Sequence, residues 1–278
     1  MQLRTHLPFF IYLYNGGRTE SLNLDGISQY LKNLFKRSKI QIRDDFIAYY
    51  LSGLSSKEKE KVIDTLAREM ARIKVRKIED KDVVFEPLGG EIEYEKKRIS
   101  DPKKKSFGIL YDGFKLMTIF SELIPQEESD FNHCHIIFTN QLFGTWDEGD
   151  MRYHARVSIY GFPSIISTTG IVEAPAKPRE FYLKKQMGID ITTLKEEFAG
   201  RFVDYDDSRM SEVMKGYLLQ AIFYHITGNP FCGDKDCRLY NAHWQEEVIQ
   251  AQLDSNNEFC QKHQEIIAQI RAGDELKM

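Results

Sequence analysis

Residues 231–237 read FCGDKDC, and residues 259–263 read FCQKH. They place Cys232 and Cys237 in a C-x4-C pair, and Cys260 and His263 in a C-x2-H pair 22 residues further on. Each close pair can span one tight turn, and a metal ion can then close the longer loop between the pairs. Thiolate and imidazole are ligands that Zn²⁺ prefers in closed structural sites. The sequence therefore predicts one structural zinc ion held by these four side chains.

The composition is that of an ordinary globular protein. The chain has 278 residues, of which 42% are hydrophobic and 29% charged, enough for a large core. A formal net charge of −4 gives no whole-protein argument for nucleic acid or for a membrane surface. No apolar run approaches the roughly 20 residues that cross a bilayer, and residues 8–14 lack a signal-peptide cleavage site. We expect a cytoplasmic protein with reduced cysteines and no membrane segment.

Strand and helix signals alternate along the chain before a helix-rich end. The stretch from Arg152 to Tyr160 alternates polar and apolar residues, which predicts one half-buried strand. From Asp207 apolar residues recur at helical spacing as far as His225, and Gly228 stands where a glycine ends a helix, which predicts a long central helix. The other predicted elements are strands at 8–14, 40–43, 133–138 and 164–172, helices at 25–37, after Ser55 and at 111–123, and a hairpin at 83–99 around Gly89-Gly90.

These elements predict a mixed α/β (α+β) fold in a single domain over residues 1–278. We expect an N-terminal βα part at 1–130, a sheet with the central helix at 131–230, and a zinc-bound C-terminal part at 231–278.

Residues 221–232, AIFYHITGNPFC, resemble the zinc-binding helix of the archaemetzincins. These metzincin-type zinc metallopeptidases carry the motif HExxHxxGxxHC-x4-C-x-M, followed by C-x2-C. His225 falls at the second histidine and Gly228 at the turn glycine, while His263 replaces the last cysteine and Leu239 the methionine. The three cysteines of the predicted zinc site also match. The resemblance implies a metzincin-like mixed sheet with packed helices, a long central helix and a C-terminal zinc-stabilised subdomain.

The residues that the motif needs for catalysis are missing. Ala221 stands at the first histidine, Ile222 at the glutamate that acts as general base, and Phe231 at the third histidine. A single ligand cannot hold a catalytic zinc ion. The resemblance therefore implies a degenerate member in which His225 is a core histidine and the Cys3His site survives.

The polar face of the predicted strand carries Arg152, His154 and Arg156. In metzincins an edge strand above the cleft binds the substrate backbone, so these three side chains and His225 are candidate cleft residues. They could present a basic face to an acidic peptide or another anion, and a solvated strand face explains the pattern as well.

Three functions stay open at this point. The first is a binding protein for a peptide or protein, without catalysis. The second is an active metallohydrolase with a rearranged metal site. The third is an interaction module of a ribonucleoprotein assembly, which the negative net charge makes weaker. The rearranged site would draw on a carboxylate and on His225, His154, His133, His135 or His243, and the interaction module on lysine-rich loops such as 103–105.

Overall fold

A computed structural model describes residues 9–17, 19–81, 85–101 and 108–272. Within these residues nine strands form two mixed sheets, against which the helices pack. The strands are β1 (Phe10–Gly16), β2 (Lys39–Asp44), β3 (Lys74–Val75), β4 (Leu110–Asp112), β5 (His133–Thr139), β6 (Leu142–Asp147), β7 (Arg152–Arg156), β8 (Ser158–Ile159) and β9 (Ser164–Ser167). The helices are α1 (Leu24–Leu34), α2 (Phe46–Ser52), α3 (Ser56–Arg72), α4 (Gly89–Ser100), α5 (Gly113–Ser121), α6 (Gly170–Glu173), α7 (Arg179–Gln186), α8 (Ile191–Glu197), α9 (Met210–Thr227), α10 (Gln245–Ile249) and α11 (Gln261–Ala272).

The first sheet has the strand order β2-β1-β5-β9-β8. Its first four strands are parallel, and β8 lies antiparallel at the edge. Helices cover both faces, as a parallel sheet requires, so β1 is a nearly continuous buried run. Ile11 and Leu13 face α1 and α9, whereas Tyr12 and Tyr14 face the side of α2 and α3. The predicted mixed α/β architecture is confirmed.

The long central helix is α9, and the structure confirms its prediction. Most of its residues are buried, which explains why it is apolar around much of its circumference. It ends at Gly228, whose φ of 77° lies in the left-handed region that glycine adopts without strain. The backbone N–H of Gly228 donates to Tyr224 O at 2.8 Å and closes the last turn.

The second sheet has the order β3-β4-β6-β7, and it corrects the prediction of one strand from Arg152 to Tyr160. That stretch divides into β7, at the edge of the second sheet, and β8, at the edge of the first. The chain turns between them because Val157 O accepts from Ser167 N at 2.7 Å. Gly170 fits against this bend, where a Cβ atom would lie only 2.4 Å from Arg156 O.

The predicted hairpin at 83–99 is wrong, because residues 89–100 form α4. The carboxylate of Glu91 accepts from Leu88 N at 2.8 Å and caps the helix start. Two of its buried side chains, Glu95 and Arg98, are charged and form an ion pair at 2.7 Å. They interrupt the apolar period of 3.6 residues that would have identified a helix. Residues 83 and 84 of the predicted hairpin lie outside the described residues.

Two other element boundaries need correction. The helix predicted at 111–123 begins only at Gly113, after the short strand β4, and Asp112 caps it by accepting from Phe114 N and Lys115 N. The strand predicted at 164–172 ends at Ser167 and is followed by α6. The lysines at 103–105 lie outside the described residues. In the described chain no helix combines the length and apolarity needed to span a membrane.

Candidate metal centre and adjoining cleft

The four predicted zinc ligands come from two tight turns after α9. In the first turn Cys232 N donates to Leu239 O at 2.8 Å, and Cys237 N donates to Asp234 O at 3.2 Å, so the chain folds back on itself. The second turn lies at the start of α11, where His263 N donates to Cys260 O at 3.0 Å. In the C-x4-C pair and in the C-x2-H pair, the turn therefore brings the second predicted ligand next to the first.

The distances between the ligand atoms fit a tetrahedral zinc ion. All four lie within 4.8 Å of one another. Zn–S and Zn–N bonds of normal length give S···S edges of about 3.8 Å and S···N edges of about 3.5 Å. Cys232 Sγ lies 3.7 Å from Cys260 Sγ, and His263 Nδ1 lies 3.6 Å from Cys237 Sγ and 3.1 Å from Cys260 Sγ. The cluster is therefore compatible with a metal ion, and its four protein ligands would leave no position for substrate.

In the metal-free chain, burial shifts the pKa of three of these four side chains. Cys237 is fully buried, and desolvation raises the pKa of its thiol to about 12. Desolvation also raises the pKa of Cys232 and lowers the pKa of His263. Thiolates are the form that binds metal, so a bound cation must supply the charge that stabilises them. Metal binding at this centre would release protons.

A polar network attaches the centre to the central helix. The guanidinium of Arg238, the residue after Cys237, pairs with Glu212 of α9, and its Nε lies 3.1 Å from the Glu258 carboxylate. Gln252, in the π-helical turn Gln250–Asp254, donates to Arg238 O at 3.0 Å. Gly216 of α9 makes room for it, because a Cβ there would lie 2.0 Å from the Gln252 side-chain oxygen. The residue next to Cys237 is thus connected to α9 by polar contacts.

His225 lies in an apolar setting away from the four ligands. Its Nε2 donates to Phe131 O at 2.9 Å, and its ring stacks on Phe9 with centroids 5.8 Å apart. Ala221 and Ile222, at the positions of the missing histidine and glutamate, are fully buried in the core. Across the described residues, metal-ligating side chains gather in a single group, the Cys3His cluster.

A cleft of about 530 Å³ lies between α9 and the bend that joins β7 to β8. One wall is the backbone and side chains of residues 155–160, and the other is a row of α9 side chains at helical spacing, Tyr217, Gln220 and Tyr224. Phe231 and His243 also line it. It thus borders the loop that carries the metal ligands.

The polar groups inside the cleft are connected by hydrogen bonds. Tyr160 OH donates to the Gln220 side-chain oxygen at 2.5 Å, and the Gln220 amide nitrogen donates to Tyr240 O at 2.8 Å. Burial raises the pKa of Tyr160, so its phenol stays protonated near neutral pH. No carboxylate or thiol belongs to the described residues that line the cleft. The lining is largely aromatic, it offers amide and hydroxyl groups for hydrogen bonding, and among its described residues His243 is the one imidazole.

Comparison with known proteins identifies the family. Residues 8–270 match the model of the family described as "Probable metallopeptidase family (DUF6775)". The chain belongs to this family. No curated protein and no solved structure matches it. Membership agrees with the metallopeptidase relationship that residues 221–263 predicted, whereas the narrower relationship to archaemetzincins stays a prediction.

The candidate site residues of this metallopeptidase-family member lie in different places. The four predicted zinc ligands come together, and Arg156 lines the cleft. His154 Nε2 and Arg152 Nη2 instead lie 2.9 and 3.7 Å from the Asp150 carboxylate. His225 lies on the side of α9 that faces Phe9.

Sequence reasoning missed Tyr217, Gln220 and Tyr224. Their polar atoms at spacings of three and four residues mark one edge of an otherwise apolar helix, a weak signal that could have identified them.

Proposed function

We propose that this protein is a zinc-stabilised, archaemetzincin-like member of its family that has lost peptidase activity and binds an extended peptide segment in its cleft. Zinc would occupy the Cys3His cluster and stabilise the fold. The cleft between α9 and the β7–β8 bend would hold the peptide. Thiolate ligation suits a reducing compartment, and we propose the cytoplasm.

The observation that carries the proposal is the environment of residues 221 and 222. A zinc peptidase of this type needs three protein ligands, an open coordination position and a base near the bound water. Ala221 and Ile222 are fully buried among apolar side chains, and the described lining of the cleft contains one histidine, His243. Neither place offers three metal ligands among the described residues, and this supports the proposed loss of peptidase activity.

The open edge of β7 supports peptide binding. Tyr153 N donates to Ile78 O at 2.7 Å, so the backbone groups of Tyr153 face away from β6. Backbone direction alternates along a strand, and Ala155 N–H and C=O therefore also face the open edge. Ala155 lines the cleft. An extended peptide can add to such an edge through main-chain hydrogen bonds while its side chains contact the aromatic wall.

Metal analysis and peptide binding test the proposal together. The purified chain should contain one zinc ion, and it should bind a bead-immobilised pool of randomised hexapeptides without cleaving it, even in excess Zn²⁺. Tyr224→Ala should weaken binding, because Tyr224 lines the cleft. Tyr182→Ala removes an exposed tyrosine from α7 and should leave binding unchanged. A second zinc equivalent with chelator-sensitive cleavage would refute the proposal, and so would a complete absence of peptide binding.

A further inference from the structure

Arg156 is the one charged side chain among the described residues that line the cleft, apart from the imidazole of His243. The rest of the lining is aromatic, aliphatic or neutral and polar. The guanidinium of Arg156 is therefore the one permanent charge on the described lining, and the Asp147 carboxylate, which is not part of the lining, interacts with it electrostatically. A ligand with one negative charge and an otherwise neutral surface matches this distribution.

The guanidinium of Arg156 is held in place by one hydrogen bond and has capacity for more. Its Nε donates to Thr145 Oγ1 at 2.8 Å. Among the residues that the structure describes, no carboxylate forms an ion pair with it within 4 Å. Asp147, on the same face of β6, accepts instead from the backbone N–H groups of Gly149 and Asp150. The two Nη groups of Arg156 can thus bind a carboxylate bidentately.

The other two basic side chains of this strand face differ from Arg156 in their contacts. Arg152 and His154 both lie next to the Asp150 carboxylate, at 3.7 and 2.9 Å. Neither belongs to the lining of the cleft. The basic strand face therefore contributes one available cation to the site.

Backbone pairing along the open edge of β7 ends near this cation. The backbone N–H of Tyr153 already donates to Ile78 O, so a strand that pairs with Ala155 cannot continue its pairing along β7 beyond that point. Thr145, which fixes the guanidinium, pairs across the ladder with His154, the neighbour of Tyr153. The cation and the closed end of the edge therefore lie within one residue of each other along β7.

We infer that Arg156 binds the C-terminal carboxylate of the peptide in the cleft, so that the protein recognises a chain end. This inference rests on the proposed peptide binding and adds the class of ligand. The terminal carboxylate would accept from the Arg156 Nη groups, the preceding backbone would pair with Ala155, and side chains would contact Tyr217 and Tyr224.

Matched peptide pools test the inference on the full chain. Two pools of randomised hexapeptides carry biotin at the N-terminus, and they differ only in a free or an amidated C-terminus. A third, amidated pool has glutamate fixed at the last position. We expect the free-acid pool to bind about ten- to hundredfold more tightly than either amidated pool, the range for a charge-assisted hydrogen-bonded pair. Equal binding of the free-acid and amidated pools would overturn the inference and leave the proposed function standing.

Substitutions test whether Arg156 causes the preference for a free C-terminal carboxylate. Arg156→Gln should abolish the preference for the free acid, and Arg156→Lys should retain part of it, because lysine keeps the charge without the planar fork. Arg68→Gln removes the same charge from the exposed face of α3 and should leave the preference intact. A preference that persists in Arg156→Gln, or strong binding of the amidated glutamate pool, would refute recognition of a chain end by Arg156. Binding of no pool would refute the proposed function itself.

Discussion

Cys232 Sγ lies 3.7 Å from Cys260 Sγ, although 28 residues separate the two along the chain. This separation matches an edge of a zinc tetrahedron, about 3.8 Å, and is far longer than a disulfide bond of about 2 Å. Metal bound between these thiols would close the loop that contains α10 and hold it against α9. With metal bound, the fold of the C-terminal part would therefore depend on this contact.

Removal of one zinc ligand should unfold part of the chain. Cys232→Ser leaves three ligands, and zinc-linked folding free energy is large, so we expect loss of zinc and a decrease of about 4 kcal/mol or more in stability. Zinc content by mass spectrometry and thermal unfolding measure the two effects. Cys134→Ala is the control, because Cys134 is buried in the core away from the cluster. It should retain one zinc and cost about 1 kcal/mol.

Replacement of His225 should leave zinc binding intact. The ring packs on Phe9 and donates to Phe131 O, so His225→Leu removes one buried hydrogen bond and should cost about 1 kcal/mol. Metal analysis of the variant should still give one zinc ion per chain. A loss of metal in His225→Leu would assign this residue to a second site and contradict its role in the core.

Gly170 should be intolerant of a side chain. A Cβ at this position would lie 2.4 Å from Arg156 O, so Gly170→Ala must displace the bend between β7 and β8, at a cost of about 1–3 kcal/mol. Peptide binding should weaken as well, because the bend is a wall of the cleft. Gly90→Ala in α4 meets no atom within 4 Å and should instead leave stability unchanged or raise it by up to about 1 kcal/mol. Equal effects of the two substitutions in denaturant titrations would contradict this packing.

Stability should decrease as pH falls from about 6.5 to about 4. Desolvation by burial lowers the pKa of His135 from its ordinary value of 6.5 to about 4, and it outweighs the hydrogen bond to Glu128 O, which raises the pKa. The neutral ring donates to Glu128 O and accepts from Tyr14 OH. In this window the unfolded chain binds the extra proton, so the free energy of unfolding rises with pH and the total change reaches about 3 kcal/mol. His135→Gln should flatten this dependence in urea titrations at pH 5 and pH 7. If the free energy of unfolding changes with pH by the same amount in His135→Gln, the pH dependence does not come from His135.

Local sequence signals predicted much of the fold and the metal centre. A helix was predicted after Ser55, and α3 does begin there, with Ser55 N donating to the Glu58 carboxylate at 2.9 Å. The signals failed where distant contacts override local pattern. In α4 the side chains of Glu95 and Arg98 are buried because they pair with each other, and Glu95 also pairs with Lys74 at 2.7 Å. A charge that is buried through such partners looks like a surface residue in the sequence.

The sequence alone determined which four side chains form the Cys3His cluster, which is compatible with a metal ion, and it determined the central helix with its terminal glycine. Ligand pairs spaced by one turn, a helical apolar stripe and a glycine stop act within a few residues, so they can be identified without the fold. The tertiary structure alone decided that His225 packs on Phe9, that Arg152 and His154 pair with Asp150, and that Arg156 enters the cleft. These outcomes depend on contacts between segments far apart in the chain, and such contacts decide which polar side chains are free to bind a ligand.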